Sequence, residues 1–491
     1  MNNPDHRTSA PRLASVTCAR PLSGENTLAE LLRTGDECAW IRFGNGMVGL
    51  GTAARFHATG PERFDAARQW WEDAVNGAAG TELPGTPALT GTIPVIPPHT
   101  LHHDDGPVPS AATAPIAFAA FAFDDASPVP SVVRVPEIVV SAVDGHAWLT
   151  WQVDLDAPEH RARAAQGWRP DAEGAEQRLA ELLGSPGTGP ASAAQIAGPD
   201  ARTSPDATLT QGVLDREGYL SAVAAGVEAI RAGRLTKLVV ARDAVVKTAD
   251  PVDVPGVLGE LTTRYADCWT YSVDGLIGAT PEMLIKVERG QARARVLAGT
   301  LDRSGAPRGS DGTAFATRML FEDEKQRHEH QLAIDSLTER LGPLTQSLDA
   351  HQEPFVLELP NVWHLASDVT AQLARSTEGG RRASALDLAQ VLHPTAAVCG
   401  TPRDEAAALI RQLEHTERGM DRGLYAGPVG WMDAAGNGEF GIALRGAVVE
   451  DEHTVRLYAG CGVVAASDPE AELAETSAKM RPMLQALGLR D

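Results

Sequence analysis

Residues 458–479 read YAGCGVVAASDPEAELAETSAK. The first residues continue an apolar, β-branched run, so Val455–Val464 is expected as a strand. Ser467-Asp468-Pro469 then opens a helix running to about Leu487. A Ser or Asp side chain accepts from the first free amides, and Pro at the first helical position has its φ already set. On this helix Glu472 and Glu475 are three residues apart, and Lys479 lies four beyond Glu475, so the three share one face. Taken alone, the pattern is an exposed Glu–Lys pair of a very common kind. The alternative is a pair of hard oxygen ligands for Mg²⁺, with a cation beside them to meet a carboxylate.

Working outward from this strand and helix, Arg216–Ala232 carries Tyr219, Val223, Val227 and Ile230 at helical spacing. Leu235–Val246, Trp269–Ile277 and Met283–Val287 read as three strands, and Thr317–Leu341 as one long helix. Leu424–Trp431 and Glu439–Val449 read as strands joined by AAGNG, a hairpin signal. Strands mixed with long helices, without a repeating βαβ beat, predict an α+β fold. Residues 1–183 are less regular. Residues 184–212 are rich in Gly, Pro, Ser and Ala with no periodicity, as in a linker or long loop. Residues 213–491 hold the denser pattern of regular elements.

The composition of the 491 residues is that of a globular protein, with 43 Lys and Arg against 65 Asp and Glu for a net charge of −22. A field of that sign disfavours nucleic acid and anionic lipid, though a local cation cluster or a metal can still hold a small anion. The five cysteines are widely spaced with no CxxC, which points to a reducing compartment. With no secretory h-region and no long apolar span, a cytoplasmic location is expected. Gly44–Gly49 fits GxGxxG, but strand-like flanks at Trp40–Phe43 and Ala53–His57 make it a hairpin rather than a dinucleotide loop. His102-His103-Asp104-Asp105 reads as a solvated loop, and His328-Glu329-His330 lacks the HExxH spacing.

Two residues have a catalytic reading beside an ordinary one. Lys237 lies just inside the apolar run KLVVAR. Such a Lys usually snorkels, but a desolvated one can serve as a general base. Glu282 follows Thr280-Pro281 at the start of a strand and means little in isolation.

Together these fragments carry more. In order they read IRAGRLTKLVVAR, GATPEMLIK, VLAGTLDR, DEKQRHEHQL, VWHLASDV, LHPTAAVCGTP, RGLYAGPVGW, GNGEFGIALRGA and YAGCGVVAASDPEAELAETSAK. This set resembles the chorismate-utilising enzymes over residues 215–487, and WIRFGNGMVGLG resembles the same family's N-terminal hairpin. The resemblance implies one large α+β domain of packed, mainly antiparallel sheets with helices outside, chorismate as substrate and Mg²⁺ as cofactor.

Carried over residue by residue, it implies Lys237 as the base that activates water and Glu282 as the acid for the leaving hydroxyl. Glu329 and Glu475 match metal ligands, with Glu472 in support. Lys479 matches the residue that reaches the ring carboxylate, and Arg445 and Tyr425 those that hold the enolpyruvyl carboxylate. Gly299-Thr300 and Gly460-Cys461-Gly462 would offer backbone amides, and His364 would line the ring.

Within the family, Ala298 stands where aminodeoxychorismate synthases carry a nucleophilic Lys. Lys237 favours water over ammonia as nucleophile, so neither anthranilate-type amination nor an amidotransferase subunit is expected. Ala397, where salicylate synthases tend to have Thr, favours isochorismate synthase of the menaquinone or siderophore type. Salicylate synthase, with its further elimination of pyruvate, is the alternative, and non-catalytic chorismate binding a remote one. A monomer is expected. Gln326 stands where the family often has a second acid, and Cys461, where Ala is usual, is expected to be a small residue without chemistry.

Overall fold

The computed structural model describes residues 10–21, 28–78, 114–183, 207–302, 312–322, 324–350, 353–358, 362–375 and 380–489. Most of the expected 184–212 linker therefore lies outside the described residues, as do Ala79–Thr113 with His102–Asp105. The end of that linker differs from expectation: Thr208–Gln211 is an exposed strand paired with Ala244–Lys247. The alternating Thr residues of TLTQ were masked by their polar, Pro-flanked setting.

Two sheets form the frame, and every strand pairing among the described residues is antiparallel. The twelve-stranded sheet has the hairpin Cys38–Arg42 and Asn45–Leu50 near its middle. It runs through Trp269–Val273, Leu276–Thr280, Gly446–Asp451 and Thr454–Val463 to Lys237–Lys247. The ten-stranded sheet runs through Val362–Leu373, Gln291–Asp302, Met283–Glu288, Gly438–Ile442, Pro428–Asp433 and Ile116–Ala120.

Period-two alternation explains the layers, because successive side chains of a strand point to opposite faces. Trp40 of the hairpin joins Trp269, Tyr271, Phe118, Val429 and Trp431 in a cluster drawn from both sheets. Its neighbours Ala39 and Ile41 point the other way, into a cluster with Leu258 and Leu261 of the helix Val254–Arg264 and Met480 and Met483 of the helix Pro469–Ala486. These strands are buried on both faces, between a second sheet and a helical layer. The Trp40 indole also donates across to Glu439 at 3.0 Å, so the one buried carboxylate of that strand is met.

The N-terminal residues are woven into both sheets. Ala39–Ile41 pair with Thr270–Ser272, and Ile116–Ala120 pair with Val429–Asp433.

Three expected elements divide where the sequence reading ran them together. Trp269–Ile277 is a hairpin, with Asp274 and Gly275 both at positive φ, the geometry an Asp-Gly turn supplies. Glu439–Val449 is two strands in two sheets, Gly438–Ile442 and Gly446–Asp451, and the chain crosses between them at Arg445, φ +51°. Thr317–Leu341 is two helices, Gly312–Glu322 and Glu324–Leu341. Leu424–Trp431 begins as a turn, and its strand starts at Pro428.

Candidate active site

Lys237–Lys247 and Thr454–Val463 lie side by side, with Val239 opposite Gly462 and Val240 opposite Cys461. Lys237 opens its strand, half-buried, and pairs on the other side with Thr401. Its side chain runs over Gly462: a Cβ there would lie 3.1 Å from Lys237 Cε. The glycine thus makes room for the amine.

The helix Pro469–Ala486 is started by Asp468, whose side chain accepts from the Ala471 amide at 3.0 Å. The helix lies against Thr454–Val463. Lys479 Nζ donates to the Gly460 carbonyl at 2.9 Å and pairs with Glu475 at 2.7 Å. Thr476, buried on the same helix, accepts from Arg242 Nε at 2.7 Å and clips helix to strand.

The Glu472 and Glu475 carboxylates and Cys461 Sγ all come within 4.8 Å of one another. Burial pushes the Glu475 carboxyl up, but the Lys479 ammonium, joined by Cys461 and Arg445, brings the group below its usual range. Glu472 stays above its usual range through burial and the neighbouring Glu475. Burial pushes the Cys461 thiol up to about 12, so it is a neutral thiol rather than a thiolate. Two carboxylates at one accessible spot form the hard donor set that suits a divalent cation.

Glu282 precedes the strand Met283–Glu288 and is half-buried as a residue, with its carboxyl group enclosed. Burial raises that carboxyl to about 7, against the opposing pull of Lys237, Lys479 and Arg445. One carboxyl therefore senses three cations from three elements. Arg445 also acts on Glu475. It stands, with a left-handed backbone, where the chain crosses between the two sheets.

Glu282 and Ala397 line one cavity together with Leu297, Thr395 and Ile442. Tyr425 is buried with its ring stacked on Tyr458 at 5.3 Å, and burial raises its hydroxyl well above the usual value.

The remaining expected residues are placed by backbone alone. Thr300 pairs with His364 across the strands Gln291–Asp302 and Val362–Leu373, next to a register shift between Leu297 and Thr300 that spans Gly299. Glu329 lies on the helix Glu324–Leu341. Its neighbour His330 is buried, with Nε2 at 2.8 Å from Ser367 Oγ. The side chains of Ala298, Gly299, Thr300, Gln326, Glu329 and His364 lie outside what is described.

Two features escaped the sequence reading. Thr395 Oγ1 is buried in the Glu282 cavity with no hydrogen-bond partner among the described residues. Such a hydroxyl calls for a ligand or water. Glu414 and Arg422 form a buried ion pair at 2.7 Å. Glu414 accepts from the Ala241 amide at 2.8 Å, and Arg422 donates to the Val239 and Val398 carbonyls at 2.9 and 2.8 Å. The pair braces the strand that carries Lys237. HPT gave a composition cue for Thr395, while nothing local links residues 239, 414 and 422.

The fold and this cluster of acid, amine and paired carboxylates define a chorismate-processing enzyme. The chain belongs to the chorismate binding enzyme family, whose model matches residues 100–488. It is 36% identical over 288 residues to isochorismate synthase DhbC of Bacillus subtilis, across 56% of this chain and 69% of that protein. It is 36% identical over 294 residues to the salicylate biosynthesis isochorismate synthase of Pseudomonas aeruginosa, across 59% of this chain and 58% of that protein. Among solved structures, the menaquinone-specific isochorismate synthase MenF of Escherichia coli shares the fold, with a TM-score of 0.70 at 24% identity over 98% of this chain and 95% of that one. No helix among the described residues is long and apolar enough to cross a membrane.

Proposed function

We propose that the protein is an isochorismate synthase, an isomerase that converts chorismate to isochorismate. Water adds at C2 of the ring, the ring double bonds shift, and the C4 hydroxyl leaves as water. Lys237 is a cation as it faces Glu282, and once it has released that proton its amine takes the proton of the attacking water. Glu282, as the neutral acid, gives a proton to the departing hydroxyl. One water enters and one leaves, so the reaction balances as an isomerisation.

The observation that carries this reading is the Glu282 carboxyl, raised to about 7 while facing Lys237, Lys479 and Arg445. Burial keeps a fraction of it protonated at neutral pH, as a general acid requires. Lys479 and Arg445 supply the positive charge a dicarboxylate needs inside a protein of net charge −22. Tyr425 beside Arg445, the backbone at Gly299-Thr300 and at Gly462, and the ring of His364 complete the substrate contacts in this reading, and Ala397 leaves the pocket wall small.

Glu472 and Glu475, with Glu329, would hold Mg²⁺. When bound, the cation supplies charge neutralisation at the ring carboxylate. Lys479, already paired with Glu475, is placed to meet the same carboxylate.

Turnover in heavy-oxygen water tests the scheme. Isochorismate bearing one heavy oxygen is expected. Product that retains only the substrate's oxygens would exclude water attack at C2.

A further inference from the structure

The strand Met283–Glu288 has Glu282 at one end and Arg289 at the other, roughly 20 Å apart along an extended chain. At the Arg289 end opens a cleft of about 700 Å³. Its walls are the helix Arg63–Ala78, the turn at Asp433–Asn437, and the segment around Arg381 and Arg382. Among the described residues, five arginines line it, Arg68, Arg289, Arg375, Arg381 and Arg382, and its carboxylates are Glu72 and Asp433.

Two of the five arginines are neutralised. Arg381 pairs with Glu72 and with Asp387, each at 3.1 Å, and Arg68 pairs with Asp65 and Asp387. Asp433 is committed to its own turn, accepting from the Ala435 and Asn437 amides at 2.9 Å. Arg289, Arg375 and Arg382 have no carboxylate partner among the described residues.

The last two are held together. Arg375 and Arg382 meet in an isolated antiparallel bridge. Arg382 packs on Gly290, where a Cβ would lie 2.8 Å from its Cδ, and its buried Nε has no hydrogen-bond partner among the described residues. Three guanidinium groups without a carboxylate partner among the described residues thus line one cavity, and a bound polyanion would meet their fixed donors.

We infer that this cleft is a second binding site, separate from the chorismate site, for a small polyanion carrying carboxylate or phosphate groups. The inference does not depend on the reaction proposed above, because its readout is anion binding rather than turnover.

Isothermal titration of the full chain with inorganic pyrophosphate, and separately with tricarballylate, tests it. At least one probe is expected to bind. Binding should weaken by about tenfold or more in Arg375→Gln/Arg382→Gln, the loss expected when charge-assisted donors are removed. Lys479→Gln, at the chorismate site, should leave it unchanged. Binding of pyrophosphate alone would assign a phosphate-bearing ligand, and of tricarballylate alone a polycarboxylate. If the double variant fails to fold, the exposed Arg289→Gln gives the same comparison. Absence of binding for both probes, indifference to the arginine variants, or loss in Lys479→Gln would overturn the inference.

Discussion

Glu282 shows how one residue acquires chemistry from its surroundings. Its ordinary carboxyl would be ionised at neutral pH, and burial raises it to about 7 even with three cations in view. The acid form is present below that value and is lost above it. The rate of isochorismate formation is therefore expected to fall about tenfold per pH unit above about 7 once this group limits the reaction, as a pH–rate profile would read. A flat profile to pH 9 would contradict the assignment. The same raised value favours the folded state while the group is protonated. Its contribution to stability is fully present below about 4.5 and is lost as pH rises through about 7. Gln, an isostere of the protonated carboxyl, removes that dependence, so Glu282→Gln should gain urea stability relative to wild type as pH rises across this window. For catalysis, Lys237→Ala and Glu282→Gln should each lower kcat by roughly 10²–10⁴ with KM little changed, the scale of lost acid–base catalysis. Full activity in either variant would remove that residue from the mechanism.

At the scale of elements, the strand Lys237–Lys247 is braced along one edge and given room by the neighbouring strand. Along that edge the Glu414–Arg422 pair ties Val239 and Ala241 to the chain near Val398. Arg422→Ala leaves a buried carboxylate alone and should cost about 3–5 kcal/mol in urea unfolding. A loss under about 1 kcal/mol, the range of exposed pairs, would show that water reaches the site. On the neighbouring strand, Gly462 gives Lys237 its space. Gly462→Ala should displace the amine and lower kcat by about tenfold or more, with unfolding nearly unchanged, because only a flexible side-chain end must move. The sequence revealed such elements where a local signal existed. The SDP cap marked the helix start at Pro469, and β-branched runs marked Lys237–Lys247 and Thr454–Val463. It hid the boundaries set by tertiary position. Between Glu439 and Val449 every residue but Arg445 is apolar or glycine, so no change of periodicity marks the passage from one sheet to the other.

Over the whole molecule, a chain of net charge −22 gathers Lys237, Arg445 and Lys479 about one carboxyl and leaves Arg289, Arg375 and Arg382 about a distant cleft. The first group was legible because its members sit in recognisable segments whose order matches a known family. Cys461 was legible as a small residue, but its place beside Glu472 and Glu475 became visible only when helix and strand packed. Thr395, Glu414 and Arg422 owe their roles to partners far away in the chain, which spacing does not encode. The arginine cleft is assembled from a helix, two turns and a crossing segment and has no sequence signature. The central claim concerns what these parts do together. Incubation of the purified protein with chorismate and Mg²⁺, with and without EDTA, and chromatographic separation of the products tests it most directly. Isochorismate as the product, abolished by EDTA and restored by excess Mg²⁺, is the predicted result. Salicylate with pyruvate, turnover indifferent to EDTA, or unchanged chorismate would contradict it.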